Sequence, residues 1–296
     1  MIQLPPNVPI HNRPTIVSRV LTYAILAFWS FICLFPLYWL TITSLKAEAD
    51  ITGGPAYLPF IDFTPSFKAW DFILNDTNDN LLPRYFNSTV IALAATILSV
   101  LLGALAVYGF TRFKWNAVHS RRIMFAILAT RILPPIVVVL PLYMMAQATN
   151  TLDTHFALIF TYTAVNLPVA VWLLQPVLGL RASDQEEAAQ LDGASHVTIF
   201  FTIVLPMIRA SVAAIALLVF VLCWNEYLFA VYLAGNEAMT LPPWMVGQMS
   251  MKEAQIGSEA EEWANLSAAT ILMIAPLLAC TAFVRSALSR MALWQR

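Results

Sequence analysis

Two charges lie inside otherwise apolar runs, Arg131 within residues 123–152 and Glu226 within 210–234. A charge at membrane depth is costly, so each is a site candidate by default. The chemistry on offer is an ion pair, a polar staple between helices, or the lining of a solute path. At 1.5 Å per residue, Arg131 stands about 13 Å beyond Arg122, and Glu226 about 25 Å beyond Arg209. Straight helices leave about 12 Å of depth between them, too much for easy pairing. Asn166, about 22 Å before Arg181, suits Glu226 better. Tyr143, Tyr162, Trp172 and Trp224 are either ring-stacking groups or core aromatics, and spacing does not separate the two. Pro134, Pro135 and Pro141 interrupt the third apolar run and Pro168 the fourth. The carbonyls they free either face a cavity or mark a packing kink.

A second constellation is polar and compact: Glu186-Glu187-Ala188-Ala189-Gln190-Leu191-Asp192-Gly193-Ala194, then Phe200, Ile203, Leu205 and Pro206. Asp184 as N-cap with Glu187 three residues later predicts a short capped helix ending at Leu191. Gly193 supplies the left-handed stop, and a second amphipathic helix is expected over 195–205. The pair displays acidic and small residues toward one side of the membrane. Elsewhere the chemistry is thin. The four histidines (His11, His119, His155, His196) are scattered and accompanied by no paired carboxylates. Cys33, Cys223 and Cys280 lie in apolar runs without metal spacing and read as small core hydrophobes. A Gly-x-x-x-x-Gly-Lys-Ser/Thr loop is absent from the sequence, so it offers no cradle for ATP phosphates.

The elements that must position these groups follow from composition. Of 296 residues, 59% are hydrophobic and 11% charged, about half the charged share of a soluble domain. The mean hydropathy is +0.72. The composition excludes a soluble enzyme and a disordered chain, and a net charge of −1 offers a nucleic acid nothing. Six apolar stretches are long enough to cross a bilayer, at about 20–45, 85–111, 123–150, 155–180, 208–234 and 263–284. The first exceeds a signal-peptide core and is expected to be retained. With the N-terminus inside, Arg13, Arg19, Arg112, Lys114, Arg121, Arg122, Arg181, Arg209, Arg285, Arg290 and Arg296 fall inside, against Lys46, Lys68, Arg84 and Lys252 outside. Both termini are therefore predicted to be cytoplasmic. Residues 1–19 form an N-terminal tail, 20–290 the membrane domain, 181–206 its cytoplasmic loop and 291–296 a C-terminal tail. In the outer segment 46–84, Phe67, Trp70, Phe72 and Ile73 predict a short interfacial helix. Outer residues 240–250 read as a loop with Trp244 and Met249 exposed and Gly247 allowing a tight turn.

The cytoplasmic stretch resembles the EAA motif of ABC importer permeases. Glu187, Ala188, Ala189, Asp192, Gly193, Ala194, Ile203, Leu205 and Pro206 match it position by position. Ser44-Leu45-Lys46, Asn87-Ser88, Gly103-Ala104-Leu105-Ala106 with Tyr108-Gly109-Phe110, Leu133-Pro134-Pro135, Pro141-Leu142-Tyr143, Asn166-Leu167-Pro168 and Trp224-Asn225-Glu226-Tyr227 look like the carbohydrate branch. The chain is thus similar, over roughly 20–290, to the smaller six-span permease of maltose-type importers; it departs at Ala210, where the family often has proline, and in its last six residues.

The resemblance implies an all-α polytopic membrane protein with six transmembrane helices in the type I ABC importer permease fold. It implies a non-catalytic subunit of the bacterial inner membrane, binding no cofactor itself. ATP and Mg would sit on two partner ATP-binding subunits. A second homologous permease, an extracytoplasmic solute-binding protein, a sugar substrate and membrane lipid complete the expected partners. The EAA residues would couple to the ATPases. Arg131, Tyr143, Asn166, Trp224, Asn225, Glu226 and Tyr227 are the candidate solute pathway, and Trp244, Gly247, Gln248 and Met249 the candidate contact with the binding protein. The alternatives are an ABC permease for a polyol or glycerol phosphate, for which Arg131 is the sole cationic candidate, or an ion-coupled carrier using Arg131 and Glu226. The carrier would need inverted repeats, and the sequence shows none.

Overall fold

The computed structural model describes residues 16–75, 81–113, 117–179, 183–252 and 259–293. Most of the N-terminal tail, Arg181 and residues 294–296 lie outside them. Regular structure among the described residues is helical, apart from one isolated bridge between Pro59 and Phe63. These residues fall into two units, one within Met1–Ile73 and Gly257–Ile271, the other within Leu74–Ile256 and Leu272–Arg296.

The first unit holds α1 (Ile16–Thr43), α2 (Glu48–Thr52), most of α3 (Lys68–Asn75) and the start of α14 (Glu259–Leu293). The α1 side chains are exposed along most of its length, as lipid-facing apolar groups are, and Cys33 among them is exposed rather than core. Where α1 ends, Ile42 packs with Ala56, Phe63 and Leu45. The Lys46 ammonium sits 4.8 Å from the Trp39 ring centre and 5.5 Å from that of Phe63. Burial lowers its pKa, against the opposing charges of Asp50 and Asp62. The interfacial helix expected near Trp70 forms as α3, with Trp70 Nε1 donating to Ser44 Oγ at 3.3 Å. Phe67 precedes α3 and is exposed.

The second unit is built on α4 (Leu81–Arg112), α7 (His155–Gly179) and α11 (Arg209–Trp224). Small residues at helical spacing, Ala92, Ala95, Thr96, Ser99, Gly103 and Ala104, are buried on α4 and let it approach α7 closely. A Cβ on Gly103 would stand 3.0 Å from Ala170 Cβ and 3.3 Å from Val171 N. Ser99 Oγ donates to Thr163 O at 3.3 Å across the same contact. Around this core lie α5 (Ala117–Ala129), α6 (Pro135–Ala148), α8 (Ser183–Leu191), α9 (His196–Ile199), α10 (Leu205–Met207), α12 (Leu228–Leu233) and α13 (Leu241–Lys252).

Among the described residues, four helices are long and apolar enough to cross a membrane, or up to six spans if each of two bent pairs counts as one. The third predicted span bends by 94° between Ile132 and Pro135. Residues 130–132 form a 3₁₀ turn, and Leu133 and Pro134 are extended, because a proline forces its predecessor out of helical geometry. Pro135 then restarts the helix at its first position. An 82° bend at Ile208 separates the loop helix His196–Met207 from α11, and the predicted fifth span, 208–234, is itself broken after Trp224 into α11 and α12. Pro141 and Pro168 do not interrupt: α6 and α7 run through them. Each costs a backbone hydrogen bond that the surrounding packing tolerates.

Candidate functional site

The loop residues 183–206 assemble into a tight helix–turn–helix. The first helix begins at Ser183, so Asp184 lies in its first turn and is not the N-cap the sequence suggested. Its carboxylate, with Glu186, still meets the positive end of the helix dipole. The C-terminus closes as a Schellman motif: Ala194 N donates to Ala189 O at 2.9 Å and Gly193 N to Gln190 O at 3.0 Å. Gly193 has φ +84°, the left-handed geometry its lack of Cβ permits. Ser195 caps the second helix, its Oγ accepting from Thr198 N at 3.2 Å. That helix runs through a π-type stretch, Phe200–Val204, to α10 and Pro206. Glu187, Ala188, Asp192, Gly193 and Pro206 are exposed; Ala189, Ala194, Ile203 and Leu205 are half-buried.

The sequence reading passed over Glu186. It is 2% exposed and accepts two hydrogen bonds from Arg112, Nε to Oε2 at 2.6 Å and Nη2 to Oε1 at 2.9 Å. Arg112 Nη2 also donates to Leu178 O at 3.1 Å. Beside it, His196 lies against Tyr108 and Phe113, ring centres 6.5 and 5.0 Å away. The available signal was a basic residue ending one span and an acidic one preceding the motif glutamate.

At membrane depth, Arg131 and Glu226 form no ion pair. Arg131 is exposed at the 3₁₀ break, Nη1 donating to Val165 O at 3.3 Å. Glu226 Oε1 accepts from Phe229 N at 3.3 Å and so caps α12, where α11 has ended and the chain breaks for three residues. Asn166 does not reach Glu226 either; its Nδ2 donates to Tyr162 O at 2.9 Å and Cys223 Sγ at 3.3 Å. The polar staple between the fourth and fifth spans is therefore Asn166 with Cys223, a cysteine whose sulfur accepts as well as packs. Trp224 is buried, its Nε1 donating to Met273 O at 3.1 Å and its ring edge-on to Tyr85, which makes it a core aromatic. Asn225 and Tyr227 are exposed and Tyr143 is half-buried.

Residues 240–250, expected to form an outer loop, do not form a loop. Residues 241–252 are helical, and Pro242, Trp244 and Met245 are buried. Gly247 sits mid-helix with nothing within 4 Å of a Cβ, so it makes no turn. Gln248 and Met249 lie on α13, but their side chains fall outside the described residues. The segment entering α13 is held by Asp153, which the sequence did not single out, together with Arg84 and the Asn87-Ser88 pair. Asp153 accepts from Gly235 N at 2.7 Å, Ala238 N at 2.8 Å and Glu237 N at 3.1 Å. Burial alone would raise the Asp153 pKa, but these N–H groups with that of Asn236 outweigh it, and the carboxyl sits below its ordinary range. Asn87 Nδ2 donates to Glu237 O and Met239 O, Arg84 to Asn236 O, and Leu241 N donates to Ser88 Oγ at 2.7 Å.

The chain as a whole has counterparts among known proteins. The family described as binding-protein-dependent transport system inner membrane component matches residues 95–292. The diacetylchitobiose uptake system permease protein NgcG of Streptomyces coelicolor is 30% identical over 87% of this chain and 82% of its own. The trehalose/maltose transport system permease protein MalG of Thermococcus litoralis is 27% identical over 90% of this chain and 92% of its own. Among solved structures, a bacterial ABC transporter involved in the import of the acidic polysaccharide alginate superposes with TM-score 0.72 and 19% identity, covering 94% of this chain and 99% of that one.

Proposed function

The chain belongs to the family of binding-protein-dependent transport system inner membrane components, and from that premise we propose that it is the permease half of an ATP-driven carbohydrate importer. It is a multi-pass inner-membrane permease with the all-α fold of type I ABC importer permeases. Two ATP-binding subunits dock against the exposed Glu187, Ala188, Asp192 and Gly193, a second permease completes the solute path, and a loaded binding protein delivers the solute outside. The chain itself hydrolyses nothing. Both termini are cytoplasmic, which the distribution of Lys and Arg supports. The observation that carries the coupling role is the rigid turn at Gly193, which presents Glu187 outward while Glu186 is locked inward. Carbohydrate as solute is supported by the relatives, whose names specify diacetylchitobiose and trehalose/maltose uptake.

The test is reconstitution with the partner subunits in proteoliposomes. Uptake of radiolabelled oligosaccharide should require both ATP and the binding protein. Uptake driven by an ion gradient without ATP would sink the proposal and favour a carrier.

A second reading, a sugar carrying an anionic group, is favoured by Arg131. It is exposed at a membrane-depth break in the helix, a backbone geometry tolerated only beside protein or water. Arg131→Gln should then reduce uptake of acidic sugars more than of neutral ones.

A further inference from the structure

We infer that Arg112 and Glu186 act as a strut that makes the coupling helix α8 and the span α4 one rigid body during transport. The inference rests on the coupling reading above and adds the route by which motion leaves α8. Glu186 and Glu187 are neighbours with opposite fates: Glu187 is exposed to an incoming partner, whereas Glu186 is buried against the end of α4. The guanidinium grips both carboxylate oxygens in a planar fork and reaches Leu178 O in the last turn of α7 with the same nitrogen that holds Oε1. One side chain thus ties α8 to two spans. A second fastening lies alongside, where His196 rests between Tyr108 and Phe113 and Tyr108 meets Phe200 edge-on at 5.2 Å. Farther along, α4 and α7 touch almost backbone to backbone at Gly103 and Ala170. A push on the Glu187 face therefore moves the inner ends of α4 and α7 together, and bending is left to the breaks at residues 130–134 and at Ile208. Arg112 is a positioning residue here, acting through Glu186 and Leu178 on α8 and the inner end of α7.

The decisive experiment uses the full complex in proteoliposomes, with spin labels at the exposed positions Thr111 and Gln190. The distance between them should be the same in the nucleotide-free and ATP-bound states; a change between states overturns the strut. This measurement needs no change to the pair, so it stands even if pair variants fail to accumulate. In parallel, Glu186→Gln and Arg112→Gln should each cut solute moved per ATP hydrolysed about tenfold while the ATPases still copurify. The swap Arg112→Glu with Glu186→Arg should recover much of that ratio. Neutral variants with unaltered ratios, or a swap no better than the single changes, would also overturn the strut. Gly193→Val separates the two levels. If that variant transports normally, the coupling reading falls and the strut with it; if it is silent while the pair variants are unaffected, only the strut falls.

Discussion

Gly193 is where a single side chain is most constrained. At φ +84° a Cβ costs about 1–2 kcal/mol, and a β-branched residue more, although no neighbouring atom lies within 4 Å of that Cβ. Gly193→Val should leave the protein in the membrane at normal amounts but abolish solute-stimulated ATP hydrolysis, measured in the reconstituted complex. Asp153 is the corresponding fixed point at the turn between α6 and α7. Because its folded pKa is lowered, its contribution is complete above about pH 4, the ordinary carboxyl value, and is lost as pH falls through the lower folded value. Asp153→Asn should destabilise the segment 235–238 by about 1.5–3 kcal/mol at neutral pH, the range for hydrogen bonds to a charged group. It should also flatten the acid limb of a thermal-stability profile; an unchanged limb would show that another group sets it. Of these two residues, Gly193 was legible from its place in the motif. Asp153 was not, because its partners are backbone groups more than eighty positions away.

At the scale of elements, α13 invites the sharpest test. Gly247 has helical geometry and open space around a Cβ, so Gly247→Ala should raise stability by about 0.5–1 kcal/mol through lost unfolded-state freedom. If uptake at limiting solute nonetheless falls, the added methyl meets a docked binding protein; if uptake holds while the melting temperature rises, α13 faces away from it at that turn. Trp244→Ala should instead cost about 3–5 kcal/mol, since the ring is buried. Periodicity did not foretell this helix, because prolines at 242 and 243 read as turn signals. They fall in the first turn of α13, where a missing N–H goes unneeded. The α4–α7 contact is the other sensitive element: Gly103→Val, overpacking a gap of 3.0 Å, should lower stability by about 1–3 kcal/mol, read as the melting temperature in detergent.

For the whole molecule, the predicted orientation is checked by single cysteines in a background lacking Cys33, Cys223 and Cys280. Gln147→Cys should react with an impermeant maleimide from outside, and Gln190→Cys only after the membrane is opened; the reverse pattern would invert the topology. Composition alone made this an all-helical membrane protein, because a chain only 11% charged cannot solvate a soluble surface. The length of its apolar runs predicted six spans, of which four are single helices and two more depend on counting bent pairs, and the asymmetry of its cations predicted the sidedness. The spacing from Glu187 to Pro206 marked the helix–turn–helix proposed to couple to the ATPases, since a capped turn between short helices is a local property that neighbouring residues encode. Tertiary structure decided what distance in sequence conceals. It sent Asn166 to Cys223 rather than to Glu226 and buried Trp224, whereas the separation of Arg131 from Glu226 was already legible from their depths. It also joined Arg112 to Glu186 across seventy-four positions. Depth counted along a straight helix placed Glu226 beside Asn166, but α11 ends at Trp224 and Glu226 turns to Phe229 N; a buried carboxylate likewise finds its partner through packing that no local pattern specifies.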